Sequence, residues 1–331
     1  MNTDSLSFQK VLDALLADGG DFPRLYLLEL SDIATPELRD LLEVWPRVNL
    51  RRKLILLEEL GSLADADTLV SFDDFARALL TDPDPEVRTR AIRLLDECES
   101  LDLVPAYLDL FKNDPDETVR AQAATALHLF VDLGELEEIP EKIYHQVEDA
   151  LLVSANSEDD VRVQRAALES LGYSSRPEVV ALIESAFQRA DPNWQASALV
   201  AMGRSADDRW EDEVTRSLIS ENDRVRRAAA QSAGELGLKS AQTLLLRMLE
   251  EEEDDDISSA LIWSLSQIGG EDVKTYLENL LDQTDDESQI AFLEEALDNL
   301  AFTEDLDRFD LLSFDPNEQE GLIEEADDED K

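Results

Sequence analysis

The side chains that most often do chemistry are few in this sequence. Its histidines are His128 and His145, and its single cysteine is Cys98. Neither histidine stands in an H-x-x-x-H or H-E-x-x-H arrangement, the spacings that set paired groups on one helix face toward zinc. Cys98 has no nearby histidine to take its proton, so it reads as a packed or half-exposed thiol rather than a nucleophile. Neither a glycine-rich phosphate loop nor a G-x-S-x-G elbow occurs. Carboxylates are the opposite case. With 78 Asp and Glu residues, paired acids occur throughout, and a pair by itself singles out no acid–base site. The densest run, Glu250 to Asp256, sets seven acids in a row. It could take Ca2+ or a basic peptide. It lacks the alternating ligand spacing and the glycine of a calcium loop, however, and reads first as a solvated acidic turn. The residues therefore point to no catalytic group, cofactor or metal.

The charge balance narrows the partners. Against the acids stand 29 bases, for a net charge of −49. Nucleic acid is disfavoured, because binding it requires Lys and Arg to displace counterions from phosphates. Anionic membrane surfaces are disfavoured for the same reason, and no run of about 18 apolar residues is present to span a bilayer. Basic proteins and cations suit such a field. The acidity also fits general solubility or salt adaptation, and both readings stand. One cysteine allows no intrachain disulfide, which suits a reducing compartment. Met1 to Lys10 has no basic stretch followed by an apolar run, so a cytoplasmic protein is expected.

The elements that would position any site emerge from self-similarity. A phrase recurs: an acidic turn, an apolar anchor, then small or apolar residues at +4 and +8. It begins DPDPEVRTRAIRLL at Asp82, DPDETVRAQAATAL at Asp114 and EDDVRVQRAALESLG at Glu158. It continues DPNWQASALVAMG at Asp191, ENDRVRRAAAQSAGELG at Glu221 and DDDISSALIWSLSQIG at Asp254. The anchors are Val87, Val119, Val163, Trp194, Val225 and Ile257, spaced 32, 44, 31, 31 and 32 residues apart. At +4 stand Ala91, Ala123, Ala167, Ala198, Ala229 and Leu261. At +8 stand Leu95, Leu127, Leu171, Met202, Ala233 and Leu265. These three positions share one helix face, and a small residue in the middle lets a neighbouring helix come close.

Amphipathic segments precede the phrases, as at Leu103–Phe111, Glu178–Phe187, Ala241–Leu249 and Val273–Leu281. Each unit is then helix A, acidic turn, helix B. Asp84 and Asp116 fall where an N-cap is needed, and Pro85 suits the first turn. Gly172, Gly203, Gly237 and Gly269 are expected to close B helices.

The pattern resembles the HEAT repeat, in particular the short HEAT-like repeats of phycobilisome lyases, over roughly residues 63–302. The D-P-x-x-V-R signature carries the resemblance, at Val87–Arg88, Val119–Arg120 and Val225–Arg226. Trp194 departs from it, followed by Gln195, and Ile257 is followed by Ser258. If the arginines form a ladder along the turns, it is interrupted there. The resemblance implies an all-α, right-handed alpha-alpha superhelix of the HEAT/armadillo-like solenoid class. The HEAT-like hydroxylases hold iron with His-Glu dipeptides, which this sequence does not contain.

The 44-residue spacing marks an insertion at 134–157, read as a longer helix A after an extended connection, starting near Pro140. A seventh hairpin is expected from Glu271 to Phe302, with Leu293 and Leu297 facing inward. Residues 1–62 read as an irregular helical N-terminal cap of four helices. The last aligns as a B helix if Arg52 is its anchor, with Leu56 and Leu60 following. The basic cluster Arg47, Arg51, Arg52 and Lys53 could pair with the chain's own acids. From 303 to 331 the chain becomes an acidic tail expected to be disordered, with 304–314 folding back on the last hairpin.

Together these features predict a non-catalytic scaffold, monomeric, that binds a protein partner, conceivably basic, on the curved face of the B helices. The candidate contact residues are Arg88, Arg120, Trp194, Arg226, Glu251, Glu252, Glu253, Asp254 and Asp255. Two alternatives remain open: an acidic nucleic-acid mimic that sequesters a DNA-binding protein, and, from the resemblance, a bilin-lyase-like enzyme.

Overall fold

The computed structural model describes residues 8–17, 22–157 and 159–311. All regular structure among them is helical. The chain divides into two compact units, residues 1–188 and 189–331. The first holds α1 (Phe8–Leu16), 3-10 turns at Arg24–Tyr26 and Leu28–Leu30, α2 (Thr35–Val44), a 3-10 turn at Trp45–Arg47 and α3 (Leu50–Ala66). It continues with α4 (Asp73–Leu79), α5 (Pro85–Arg93), α6 (Leu103–Asn113), α7 (Glu117–Ala126) and α8 (His128–Glu135). It ends with α9 (Glu141–Ala155), α10 (Val161–Ser170), a 3-10 turn at Leu171–Tyr173 and α11 (Pro177–Phe187). The second unit holds α12 (Pro192–Arg204), α13 (Glu211–Ser217), α14 (Asp223–Glu235), α15 (Gln242–Glu251), α16 (Asp255–Ile268), α17 (Glu271–Gln283) and α18 (Glu287–Leu311).

The B helices start where the acidic turns end. Asp84 accepts hydrogen bonds from the backbone N–H groups of Glu86 and Val87, and Asp116 from those of Thr118 and Val119. Asp160, Asp191, Asn222 and Asp254 cap α10, α12, α14 and α16 in the same way. A cap of this kind is worth about 1 kcal/mol, so the recurring turn acid fixes each helix start.

All six anchors and all twelve residues at +4 and +8 are buried. In the first unit α3, α5, α7 and α10 pack side by side as a B layer, with α4 against α5, α6 against α7 and α9 against α10 as the A layer. In the second unit α12, α14, α16 and α18 form the B layer, with α13, α15 and α17 against their partners. α3 behaves as the expected B helix, with Leu56 and Leu60 fully buried.

Several expectations are corrected. Residues 23–33 form two 3-10 turns rather than a helix. Their buried residues Leu27, Leu30 and Ile33 recur every three positions, the period of a 3-10 helix, and leave Leu25 and Leu28 exposed. A further short helix, α8, continues beyond the B helix and ends as the insertion begins, and the insertion supplies the long A helix α9 directly after Pro140. In the last hairpin the inward residues of α18 are Leu293, Ala296 and Leu300, while Leu297 is half-buried. The backbone of α18 is helical to Leu311, past the expected start of the tail at 303. Residues 312–331, which hold most of that tail, lie outside the described residues.

Of the four expected closing glycines, Gly237 (φ +59°) and Gly269 (φ +75°) adopt the left-handed conformation. Gly203 lies within α12, and Gly172 lies in a 3-10 turn. Gly203 and Gly234 serve packing instead. A Cβ on Gly234 would lie 2.7 Å from the Cα of Ser264 on the neighbouring B helix. By contrast, nothing lies within 4 Å of a Cβ at Gly61 of α3.

Gly234→Ala is therefore expected to destabilise the protein by about 1–3 kcal/mol through overpacking. Gly61→Ala should stabilise it by about 1 kcal/mol through helix propensity. Urea unfolding followed by circular dichroism checks both, and equal effects would contradict the close approach at Gly234.

Candidate partner-binding surface

The residue after each anchor is set at the end of the B layer, over the A–B turn. Arg88 donates from Nη1 to the carbonyl oxygen of Asp82 (2.8 Å), and Arg120 to that of Asp114 (2.8 Å). Gln164 reaches the carbonyls of Ser157 and Asp159, Gln195 that of Arg189 (3.0 Å), and Arg226 that of Ser220 (3.0 Å). Each side chain thus satisfies backbone acceptors of its own turn that the helices leave unpaired.

The charged members also reach the next turn. Arg88 forms a bidentate pair with Asp114, at 2.8 and 2.7 Å. Arg120 pairs with Asp159 (2.8 Å) and Arg226 approaches Glu252 (3.6 Å). Lys53 of α3, at the same position, pairs with Asp82 (3.1 Å), whose carboxylate also accepts the indole N–H of Trp45 (2.8 Å). The cluster around Arg47 thus meets the chain's own acid through Lys53.

This placement removes two of the nine candidate contacts from the surface. Arg88 is 8% exposed and Trp194 4% exposed, so both belong to the interior. The guanidinium of Arg189 stacks over the Trp194 ring at 3.7 Å. Arg120 and Arg226 are half-buried and engaged as above. In the acidic run, Glu252 accepts from the backbone N–H groups of Glu253 and Asp254, and Asp254 caps α16. Glu251, Glu253 and Asp255 are exposed to solvent. Among the described residues, no group of three His, Cys, Asp or Glu is placed to hold a metal ion.

A ladder that the sequence reading missed runs between B helices. Ser170 donates to the carbonyl of Ala124 (2.9 Å), Ser232 to that of Leu199 (2.6 Å) and Ser264 to that of Ala230 (2.6 Å). All three serines stand seven residues after an anchor. That recurrence was the available signal, hidden because serine carries no hydropathy contrast.

The chemistry-bearing residues are tied into the fold. Cys98 lies 3.3 Å from Nη2 of Arg77, yet burial and a hydrogen bond with Asp73 push its thiol pKa up, so it stays protonated. His128 contacts the carbonyl of Thr125 through Nδ1 (2.8 Å) and stacks on Tyr173. His145 contacts Glu148, a fully buried carboxylate, through Nδ1 (2.9 Å). Glu148 also accepts from the hydroxyl of Ser174 (2.6 Å), with Arg176 at 3.8 Å. Serine and histidine both address the carboxylate, so the geometry is that of a clasp between α9 and the turn before α11, not of a nucleophile and its base. An open groove of about 560 Å3 between α6 and α9 is lined by residues including Phe111, Lys112 and Val153, and is confined to that helix pair.

What remains is the outer surface of the B layer. With anchors, +4 and +8 buried, the −1 and +6 positions of α5, α7 and α10 (Glu86 and Arg93, Thr118 and Thr125, Arg162 and Glu169) are exposed or half-buried, together with Arg90, Ala121, Gln122 and Arg165, whereas Thr89 at +2 and Ala166 at +3 are buried. In the first unit this surface runs without interruption across α3, α5, α7 and α10.

Residues 72–141 and 211–298 match a family model described as HEAT repeats. Both stretches are HEAT repeats. A comparison with curated proteins finds no match for the sequence. Among solved structures the chain is similar to the complex of CpcE and CpcF of phycocyanin lyase from Nostoc sp. PCC7120. The identity is 17%, covering 86% of this chain and 97% of that one, with a TM-score of 0.51. It is also similar to YibA of Escherichia coli, at 15% identity over 86% of this chain and 98% of that one, TM-score 0.40. Kap121p bound to Pho4p gives 16% identity over 80% of this chain and 33% of that one, TM-score 0.44. At these identities the likeness concerns the fold: HEAT repeats stacked as a helical solenoid. Among the described residues, no helix is long and apolar enough to cross a membrane.

Breaking a buried ion pair leaves an uncompensated charge. Arg88→Met is expected to cost about 3–5 kcal/mol in urea unfolding. Gln195→Ala, which removes one neutral hydrogen bond, should cost about 1 kcal/mol. Equal losses would contradict the ladder. The hydrogen bond that the protonated ring donates to Glu148 raises the pKa of His145 above its ordinary 6.5, outweighing desolvation, with Glu141 adding to the effect. The protonated ring is thus favoured in the folded state. Its contribution to stability is complete below pH 6.5 and lost as pH rises through the elevated pKa. NMR titration of His145 should show a midpoint above 6.5 that falls in Glu148→Gln.

Proposed function

We propose that this chain is a non-catalytic protein-interaction scaffold, and that its partner lies across the outer surface of α3, α5, α7 and α10. One observation carries the reading. The repeats bury their anchors, +4 and +8 residues, commit +1 to the turns in five of six cases, and leave on adjacent helices of the first unit a set of side chains that the core does not use. HEAT repeats supply such a surface by stacking, because each hairpin presents the same helix on the same side. A reducing compartment suits the single, protonated Cys98. The net charge first suggested a basic partner.

The test is site-specific photocrosslinking in cells. A photoreactive amino acid at Gln122 of α7, on the B surface, is compared with one at Asp109 of α6, on the A side. Adducts are expected from Gln122, competed by excess unmodified chain, and not from Asp109. Adducts from Asp109 alone, or from neither position, would overturn the assignment.

A further inference from the structure

The charge of the chain is not spread evenly over its two layers. The B helices α5, α7 and α10 carry six arginines against three acids. The A helices packed with them, α4, α6 and α9, carry three bases against six acids. Arg88 and Arg120 are turned to the A–B turns, which leaves four arginines against three acids, so the candidate interaction surface is less acidic than the A layer packed with it.

Position by position, the surface has a pattern. Arg90 and Arg93 of α5 stand on one side, and Arg162 and Arg165 of α10 on the other. Between them α7 presents Thr118, Ala121, Gln122 and Thr125, small or neutral residues that leave room. Glu58, Glu86 and Glu169 lie on the same layer. Arg90 pairs with Glu58, and Arg162 pairs with Glu117 and Asp160. Arg93 and Arg165 differ. Arg93 donates from Nε to the side-chain carbonyl of Gln122 (3.1 Å), a neutral acceptor. Arg165 has no ion pair among the described residues, and its Nε is buried with no hydrogen-bond partner. Acids outnumber bases 78 to 29, so an arginine here could readily find a carboxylate. Two arginines on the interaction surface lack one, and one of them keeps an unsatisfied buried donor. The Arg165 residue is half-buried rather than enclosed, and an arriving carboxylate would gain a charge-assisted pair with its guanidinium.

We infer that the surface of α5, α7 and α10 binds an acidic, extended segment of a partner protein, with carboxylates placed on Arg93 and Arg165. This rests on the reading of that surface as the interface, and it replaces the basic partner suggested by net charge. Two steps between packed helices, each about 8–10 Å, separate α5 from α10. An extended chain covers that distance in about five or six residues, so two acidic positions at roughly that separation fit the arrangement. Arginine suits the task, because its planar fork takes a carboxylate with two parallel hydrogen bonds.

The experiment measures binding of fluorescein-labelled peptides to the full chain by anisotropy. One peptide alternates Glu and Ser, and its counterpart alternates Gln and Ser. The Glu peptide is expected to bind about tenfold or more tightly than the Gln peptide, and to weaken with salt. The double variant Arg93→Gln, Arg165→Gln should lose about tenfold in affinity with unchanged helical circular dichroism. Lys112→Gln, on the A helix α6, should lose nothing. Equal binding of the two peptides, or no effect of the double variant, overturns the proposal. So does a single-stranded oligonucleotide that displaces the Glu peptide at lower concentration, since the surface would then prefer phosphate. If the Glu peptide fails while crosslinks from Gln122 persist, the interface stands and its acidic chemistry falls. If both fail, the interface itself is misplaced.

Discussion

The close approach of successive B helices is the constraint on which the rest depends. At +4 five of the six repeats have alanine, and all six residues there are buried. Gly203 and Gly234 take the neighbouring helix almost onto their Cα atoms. At this separation the hydroxyls of Ser232 and Ser264 span from one helix to a backbone carbonyl of the next. A larger residue at these positions would push the helices apart, breaking those bonds and uncovering the anchors together. The small residues therefore set helix spacing, and the spacing sets which residues remain outside.

The turns solve a different problem. Stacking hairpins brings successive acidic turns into register, and each turn leaves carbonyls without helical partners. An arginine can donate to a carbonyl of its own turn and to a carboxylate of the next. Asp114 shows the economy of the arrangement: it accepts both bonds from Arg88 and the backbone N–H of Asp116. Such a pair is costly to desolvate, so its contribution lies as much in fixing the order and register of the turns as in net stability. The arginines of the D-P-x-x-V-R phrase are engaged in this role, Arg88 within the interior and Arg120 and Arg226 half-buried.

The repeat was legible because its periodic residues are chemically contrasting. Valine anchors, alanine at +4 and turn acids stand out against variable polar positions. The caps Asp84 and Asp116 and the A helix beginning after Pro140 followed from the same rules. Less was legible where one residue type has two uses. Gly203 and Gly237 look alike in sequence, yet one accommodates a neighbouring helix and the other a left-handed backbone. Arg88 and Arg93 are five residues apart on one helix, one sealed against Asp114 and the other open on the surface. The candidate surface was the least legible part. It consists of positions that do not repeat, and whole-chain charge does not reveal that the acids are more frequent on α4, α6 and α9 than on α5, α7 and α10.

The ladder position shows how local chemistry can separate folding of a hairpin from its attachment to others. Gln164 and Gln195 cap their own turns much as the arginines do. A carboxamide nevertheless carries no charge to offer a neighbouring carboxylate, so it completes one hairpin without an ionic tie to the next. Gln195 lies inside the second unit, where α12 still packs against α14 and Ser232 still reaches the carbonyl of Leu199. Glutamine therefore retains the hairpin and its helix packing while removing one ionic restraint between repeats.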